Sequence, residues 1–216
     1  MEASTKVPVH SDYPVRFDVD YPDRDLDRLS TFFRFLAAIP ILILASLLGG
    51  GFSGSFGENS ANLGAAFGGI VVAPTVLMIL FREKYPRWWF NWNLELTRFT
   101  TRIAIYMSLM DDQYPSTDEE QSVHLEIDYP DVENQLGRGM PLIKWLLAIP
   151  HFIVLFFLGI VAFFAVVGAW FAILFTGRYP RGLFDFVLGV HRWALRVEGY
   201  ALLMVTDQYP PFSLDP

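Results

Sequence analysis

The chain has 216 residues, of which 53% are hydrophobic and 16% aromatic, with a mean hydropathy of +0.34 and a formal charge of −7. It is more apolar than a soluble domain, whose apolar share runs about 45–50% even with glycine counted, and its negative balance excludes the basic face that nucleic acid requires. With no cysteine anywhere, disulfides, thiolate metal centres and cysteine nucleophiles are excluded as well.

The polar start, Met-Glu-Ala-Ser-Thr-Lys, precedes the first apolar stretch by too much chain for a cleavable signal peptide, so the first span is expected to act as its own uncleaved signal. Val15, Phe17 and Val19 alternate with Arg16, Asp18 and Asp20, the pattern of a strand with one buried face. Asp18, Asp20, Asp23, Asp25 and Asp27 follow without the loop glycine and ligand spacing of an EF-hand, and read as a solvated acidic face. Ser30 to Leu48 and Leu63 to Phe81 are each near the length that crosses a bilayer. With the glycine-rich connector Gly49 to Asn62 between them, they predict a hairpin over about 30–81. Arg34 lies close enough to the start of the first arm to snorkel to the interface, and Pro40 marks a packing kink, with a hinge as the functional alternative.

An interfacial helix is expected over about 88–110, where Asn91, Glu95, Arg98 and Arg102 fall on one narrow stripe. Trp89, Trp92, Leu96, Phe99, Ile103 and Tyr106 form its apolar face. Val123, Leu125 and Ile127 then alternate with His124, Glu126 and Asp128 as a second strand, and the two strands could pair. Pro141 to Gly177 is almost continuously apolar. As one straight helix it would measure about 55 Å against a core of about 30 Å, so a hairpin over about 141–177 turning near Gly159 is expected, with a shallow re-entrant hairpin as the alternative. Pro150 and His151 sit inside it, the histidine as an intramembrane site or as a neutral ring bonded to a carbonyl that the proline frees. A second interfacial helix over about 182–205 repeats the stripe as Asp185, Gly189, Arg192 and Arg196.

These elements recur in order. Val15 to Asp23 returns as Val123 to Asp131, Phe35 to Pro40 as Trp145 to Pro150, and Tyr85-Pro86-Arg87 as Tyr179-Pro180-Arg181. Arg98, Arg102 and Tyr106 return as Arg192, Arg196 and Tyr200, and Asp112-Gln113-Tyr114-Pro115 as Asp207-Gln208-Tyr209-Pro210. The chain therefore reads as an all-α membrane protein of two tandem parallel repeats, 1–115 and 116–216, each a transmembrane helical hairpin followed by an amphipathic interfacial helix, with short cytoplasmic β-strands. Lysine and arginine are missing from both hairpin turns, which places both termini in the cytoplasm and gives four crossings.

Phe175 to Leu214, FTGRYPRGLFDFVLGVHRWALRVEGYALLMVTDQYPPFSL, resembles a bacterial multi-pass membrane family catalogued only as a domain of unknown function (DUF4389-like), some members of which look like a single copy of the unit. The first copy resembles it more loosely, with Trp88-Trp89 in place of Gly182-Leu183. The resemblance implies the bacterial inner membrane and supplies no activity. Nucleophile–base pairs, phosphate-cradling loops and recurring His spacing are all missing from the sequence, so no catalytic residue, metal or cofactor is expected. What remains is a non-catalytic accessory or scaffold subunit whose partners are membrane lipids and other membrane proteins or itself. Arg98, Arg102, Arg192 and Arg196 are its lipid-headgroup candidates, or else they pair with the acidic arms. An oligomeric transporter of a lipid or small solute is the alternative.

Overall fold

The computed structural model describes residues 13–48, 72–116, 121–132 and 136–216. In chain order these form β1 (Val15–Val19), α1 (Arg28–Leu48), α2 (Val72–Arg82), α3 (Arg87–Met107), β2 (Val123–Ile127), α4 (Met140–Thr176) and α5 (Arg181–Ala201).

The two strands pair antiparallel, as their patterning allowed, with Phe17 opposite Leu125, Val15 opposite Ile127 and Val19 opposite Val123. The ladder is extended at both ends, where Asp20 donates its backbone N–H to Ser122 and Asp128 donates its own to Pro14. Val15, Phe17 and Val19 are buried while Arg16 and Asp18 between them are not, because successive side chains of a strand point to opposite faces. The buried face of the pair rests on α5 beneath β1 and on α3 beneath β2; α5 in turn packs along α4, α3 along α1, and α1 touches α4. The order is a polar strand pair, then the amphipathic helices α3 and α5, then the apolar helices α1 and α4.

Local chemistry fixes the helix ends. Asp27 accepts the Leu29 N–H at the start of α1. Pro86 and Pro180 precede α3 and α5 in extended backbone, where a residue without an N–H loses nothing. α4 ends on Gly177 at φ 77°, whose N–H returns to the Ile173 carbonyl. α3 and α5 stop at Met107 and Ala201, short of the expected 110 and 205, because Leu109 (φ 63°) and Met204 (φ 56°) turn left-handed just beyond them.

The largest departure from the sequence reading is α4. The expected hairpin over about 141–177 is one uninterrupted helix of 37 residues that runs through both Pro150 and Gly159. Bilayer thickness is the sole argument for a turn there. Nothing in the residues demands it: a lone helical glycine costs only about 1 kcal/mol relative to alanine, and no turn dipeptide flanks Gly159. In the first half α1 likewise runs through Pro40. Residues 49–71, which hold the expected connector and the start of the second arm, lie outside the described residues, and α2 covers the rest of that arm.

β1 seats on α5 through Gly199. A Cβ built there would lie 2.6 Å from Val15 Cγ2, and a β-branched strand residue has little freedom to yield. Gly199→Ala is therefore expected to cost about 1–3 kcal/mol, read as a lower unfolding midpoint in detergent, with Val15→Ala in the same chain recovering part of the loss.

Candidate functional site

The chemistry-bearing side chains gather where the three layers meet. Arg34 is 1% exposed and Lys144 is fully buried, each about one turn or more inside an apolar helix. Arg34 is thus not the snorkelling anchor the sequence suggested; its guanidinium turns inward to carbonyls at the end of α3 and in the segment that follows it. Nη1 donates to Tyr106 O at 3.1 Å and to Asp111 O at 2.5 Å, and the guanidinium carbon lies 4.5 Å from the Tyr106 ring centroid. Lys144 makes the matching arrangement at the end of α5: Nζ donates to Thr206 O at 2.7 Å, pairs with Asp207 at 2.8 Å, and sits 5.2 Å from the Tyr200 ring centroid. The sequence offset that equates Pro40 with Pro150 also equates Arg34 with Lys144.

The stripe arginines turn toward the strands and tails. From α3, Arg98 Nε donates to Leu125 O of β2 at 3.1 Å and Nη1 pairs with Glu95 at 2.7 Å. From α5, Arg192 Nε donates to Phe17 O of β1 at 3.0 Å and Nη2 pairs with Asp18 at 2.8 Å. Arg102 donates to Ser116 O at 2.6 Å. Arg196 donates to the carbonyls of Ser213 and Asp215, which lays the C-terminal segment along α5. Burial, followed by the neighbouring Arg192, lowers the Arg196 pKa from the usual guanidinium range. Each of the four arginines therefore holds another segment of the same chain, and the fork of donors suits that task.

The acidic arms are engaged too. Asp128 and Glu126 pair with Arg16, Asp20 with His124, Asp25 with Arg178 and Asp112 with Arg24. Among the described residues no cluster of His, Asp and Glu is arranged to hold a metal.

His151 is fully buried and its hydrogen-bond partner is an indole: Trp193 Nε1 donates to His151 Nδ1 at 3.0 Å. An Nδ1 that accepts puts the proton of a neutral imidazole on Nε2, and that atom has no partner among the described residues. Phe212 stacks on the ring at 4.0 Å between centroids and Tyr209 lies at 4.7 Å. Pro150 and Pro40 lie within continuous helix, on α4 and α1 respectively. The structure thus brings His151 together with Trp193, Tyr209 and Phe212, and leaves Pro40 on another helix. The sequence reading did not single out Lys144, Trp193 or Phe212. Only the recurrence of a cation four or more residues into each apolar helix pointed to the first of them.

One further group on α5 stands apart. Glu198 is half-buried, and its side chain has no hydrogen bond or ion pair among the described residues; burial pushes its pKa up to about 7.

Compared with known proteins, residues 140–213 match the family model described as Domain of unknown function (DUF4389). The match covers α4, α5 and most of the C-terminal segment, with the Lys144, His151, Arg192 and Arg196 clusters. No curated protein and no solved structure matches the chain.

Two measurements follow. Arg34→Lys and Lys144→Arg keep a donor for the carbonyls and are expected to be mild, whereas Arg34→Met or Lys144→Met, which leave buried carbonyls without their donor, should cost about 1–3 kcal/mol of unfolding free energy. For Glu198, the carboxyl ionises near pH 4.5 when unfolded and near 7 when folded. The folded state thus holds the extra proton between those values, and stability falls as pH rises from 4.5 through 7. Glu198→Gln should remove about 1–3 kcal/mol of that fall, read as the difference between variant and parent in unfolding midpoints across the window.

Proposed function

We propose that this chain is a non-catalytic membrane module, an accessory or scaffold subunit built from two copies of one unit that interlock through their strands. The observation that carries the reading is reciprocity. Arg98 of the first half holds the strand of the second, and Arg192 of the second half holds the strand of the first. Tyr21 donates to Tyr179 O while Tyr129 donates to Tyr85 O; Arg181 lies over the Tyr21 ring and Arg87 over the Tyr129 ring. Left-handed residues also fall at matched places, Leu109 with Met204 and Glu83 with Gly177. Cations, carboxylates and tyrosines that would otherwise suggest chemistry are used to join the halves.

The apolar side of the module supports seating in a membrane. α1 and α4 are both long and apolar enough to cross one. Most of α4's large side chains point outward, among them Phe156, Phe157, Phe163 and Phe164, each more than 60% exposed, far beyond the apolar patch of a soluble monomer. Because Arg98, Arg102, Arg192 and Arg196 each also hold another segment of the chain, the more exposed Arg138, Arg178 and Arg181 near the ends of α4 are the stronger candidates for anionic headgroups in this reading.

Native mass spectrometry of the protein purified from its membrane in mild detergent tests this. A defined complex with another membrane protein is expected, with anionic lipid retained by Arg192→Gln and reduced at least severalfold by Arg138→Gln, Arg178→Gln and Arg181→Gln combined. Recovery of the bare chain alone, repeated after cross-linking in intact membranes, would sink the scaffold reading.

A further inference from the structure

We propose that α4 does not cross the bilayer: it lies within one leaflet, as an in-plane wedge whose two ends stay at the same membrane face. The proposal rests on the membrane seating argued above and names the partner of the apolar face, the acyl chains of the adjoining leaflet.

The first support is the attachment of both ends of α4 to one polar layer. At its start Lys144 pairs with Asp207, whose carboxylate also accepts the Gly137 N–H at 2.7 Å. At its other end Gly177 O accepts the Leu26 N–H at 2.8 Å and Arg178 pairs with Asp25. The Asp25 segment joins β1 to α1, and the Asp207 segment is tied to the start of β1 by Tyr13, whose hydroxyl donates to Gln208 O at 3.2 Å.

α5 gives the second support. It touches α4 near both ends: Trp145 Nε1 donates to Ala201 O at 2.6 Å, and a Cβ on Gly168 would meet Leu183 at 3.8 Å. On its opposite face, at mid-length, α5 carries Arg192 clasped to Phe17 and Asp18 of β1. Polarity therefore changes across the helix axes, from the charged strand pair through α5 to α4, and scarcely along them. A bilayer normal aligned with that gradient puts both helices in the membrane plane, as an amphipathic interfacial helix lies.

Length and charge agree with this placement. Thirty-seven helical residues span about 55 Å, nearly twice the hydrocarbon core, which a crossing helix would have to absorb by extreme tilt. In the plane no such mismatch arises. Arg138 and Lys144 at one end, with Arg178 and Arg181 at the other, then share one side, as the distribution of positive charge around membrane segments favours.

The chain's lack of cysteine makes the test direct. Gly139, Gly159 and Gly182 have open space where a Cβ would go, and they mark the residue before α4, its middle and the first turn of α5, which follows the end of α4 after four residues. Single variants Gly139→Cys, Gly159→Cys and Gly182→Cys are treated with membrane-impermeant maleimide in sealed vesicles of either orientation. Gly139→Cys and Gly182→Cys should react in the same orientation, and Gly159→Cys only after detergent. Reaction of the two end positions in opposite orientations, or of Gly159→Cys from the far side, would overturn the wedge. Nitroxides at the three positions give an independent reading: fast collision with dissolved oxygen at position 159 is expected of acyl-chain contact, and slow collision there would mean that a second protein surface covers α4, also overturning the proposal. Alkaline carbonate extraction separates the two levels, since release of the protein from membranes would defeat the membrane reading itself, whereas a retained protein with its ends on opposite sides would defeat only the wedge.

Discussion

A charge removed from water must be met by oriented dipoles or by an opposite charge, and in this protein that requirement falls on Arg34 and Lys144. The last turn of a helix always exposes carbonyls without intrahelical partners. The segments that follow α3 and α5 bring carbonyls over these two cations, and the left-handed residues Leu109 and Met204 turn the backbone toward them. The tyrosine faces of Tyr106 and Tyr200 cover what the carbonyls do not. Once these contacts form, the pairing of α1 with α3 and of α4 with α5 is set, and Ala38, Ile41, Ala148 and Val197 fill the seams.

The strand layer works differently. Its five-residue strands would be marginal alone, and they are held by the arginines that reach up from the helices beneath and by side chains packed on α3 and α5. Because Gly199 allows β1 to approach α5 closely, the layer seals the polar side of the helices without needing a larger sheet.

Much of this was legible in the residues. The period-2 runs at Val15 and Val123 point to both strands and the stripes of Arg98 and Arg192 to both amphipathic helices, whereas the acidic arms, which read as a solvated face, are in part ion-paired. What was not legible depended on partners distant in sequence. Arg34 reads as a surface anchor until the free carbonyls of another helix are known to lie beside it. His151 reads as a partner for a carbonyl until Trp193 and Phe212 close around it. The unbroken course of α4 was hidden for another reason: an apolar run of that length was measured against bilayer thickness, although helix continuity is decided by backbone hydrogen bonds, which an apolar surrounding strengthens.

The pairing of β1 with β2 also sets a schedule for biosynthesis. The ribosome adds roughly 5–20 residues per second, so β1 emerges many seconds before the segment that completes it, with two apolar helices encoded between them. During that interval its open edge is a template for the β2 of any neighbouring nascent chain. Exchange of strands between chains is therefore the characteristic misassembly of this architecture. The alternation of Arg16, Asp18 and Asp20 along the waiting edge is its protection, since charges on a short strand oppose stacking of like copies until the chain's own partner arrives.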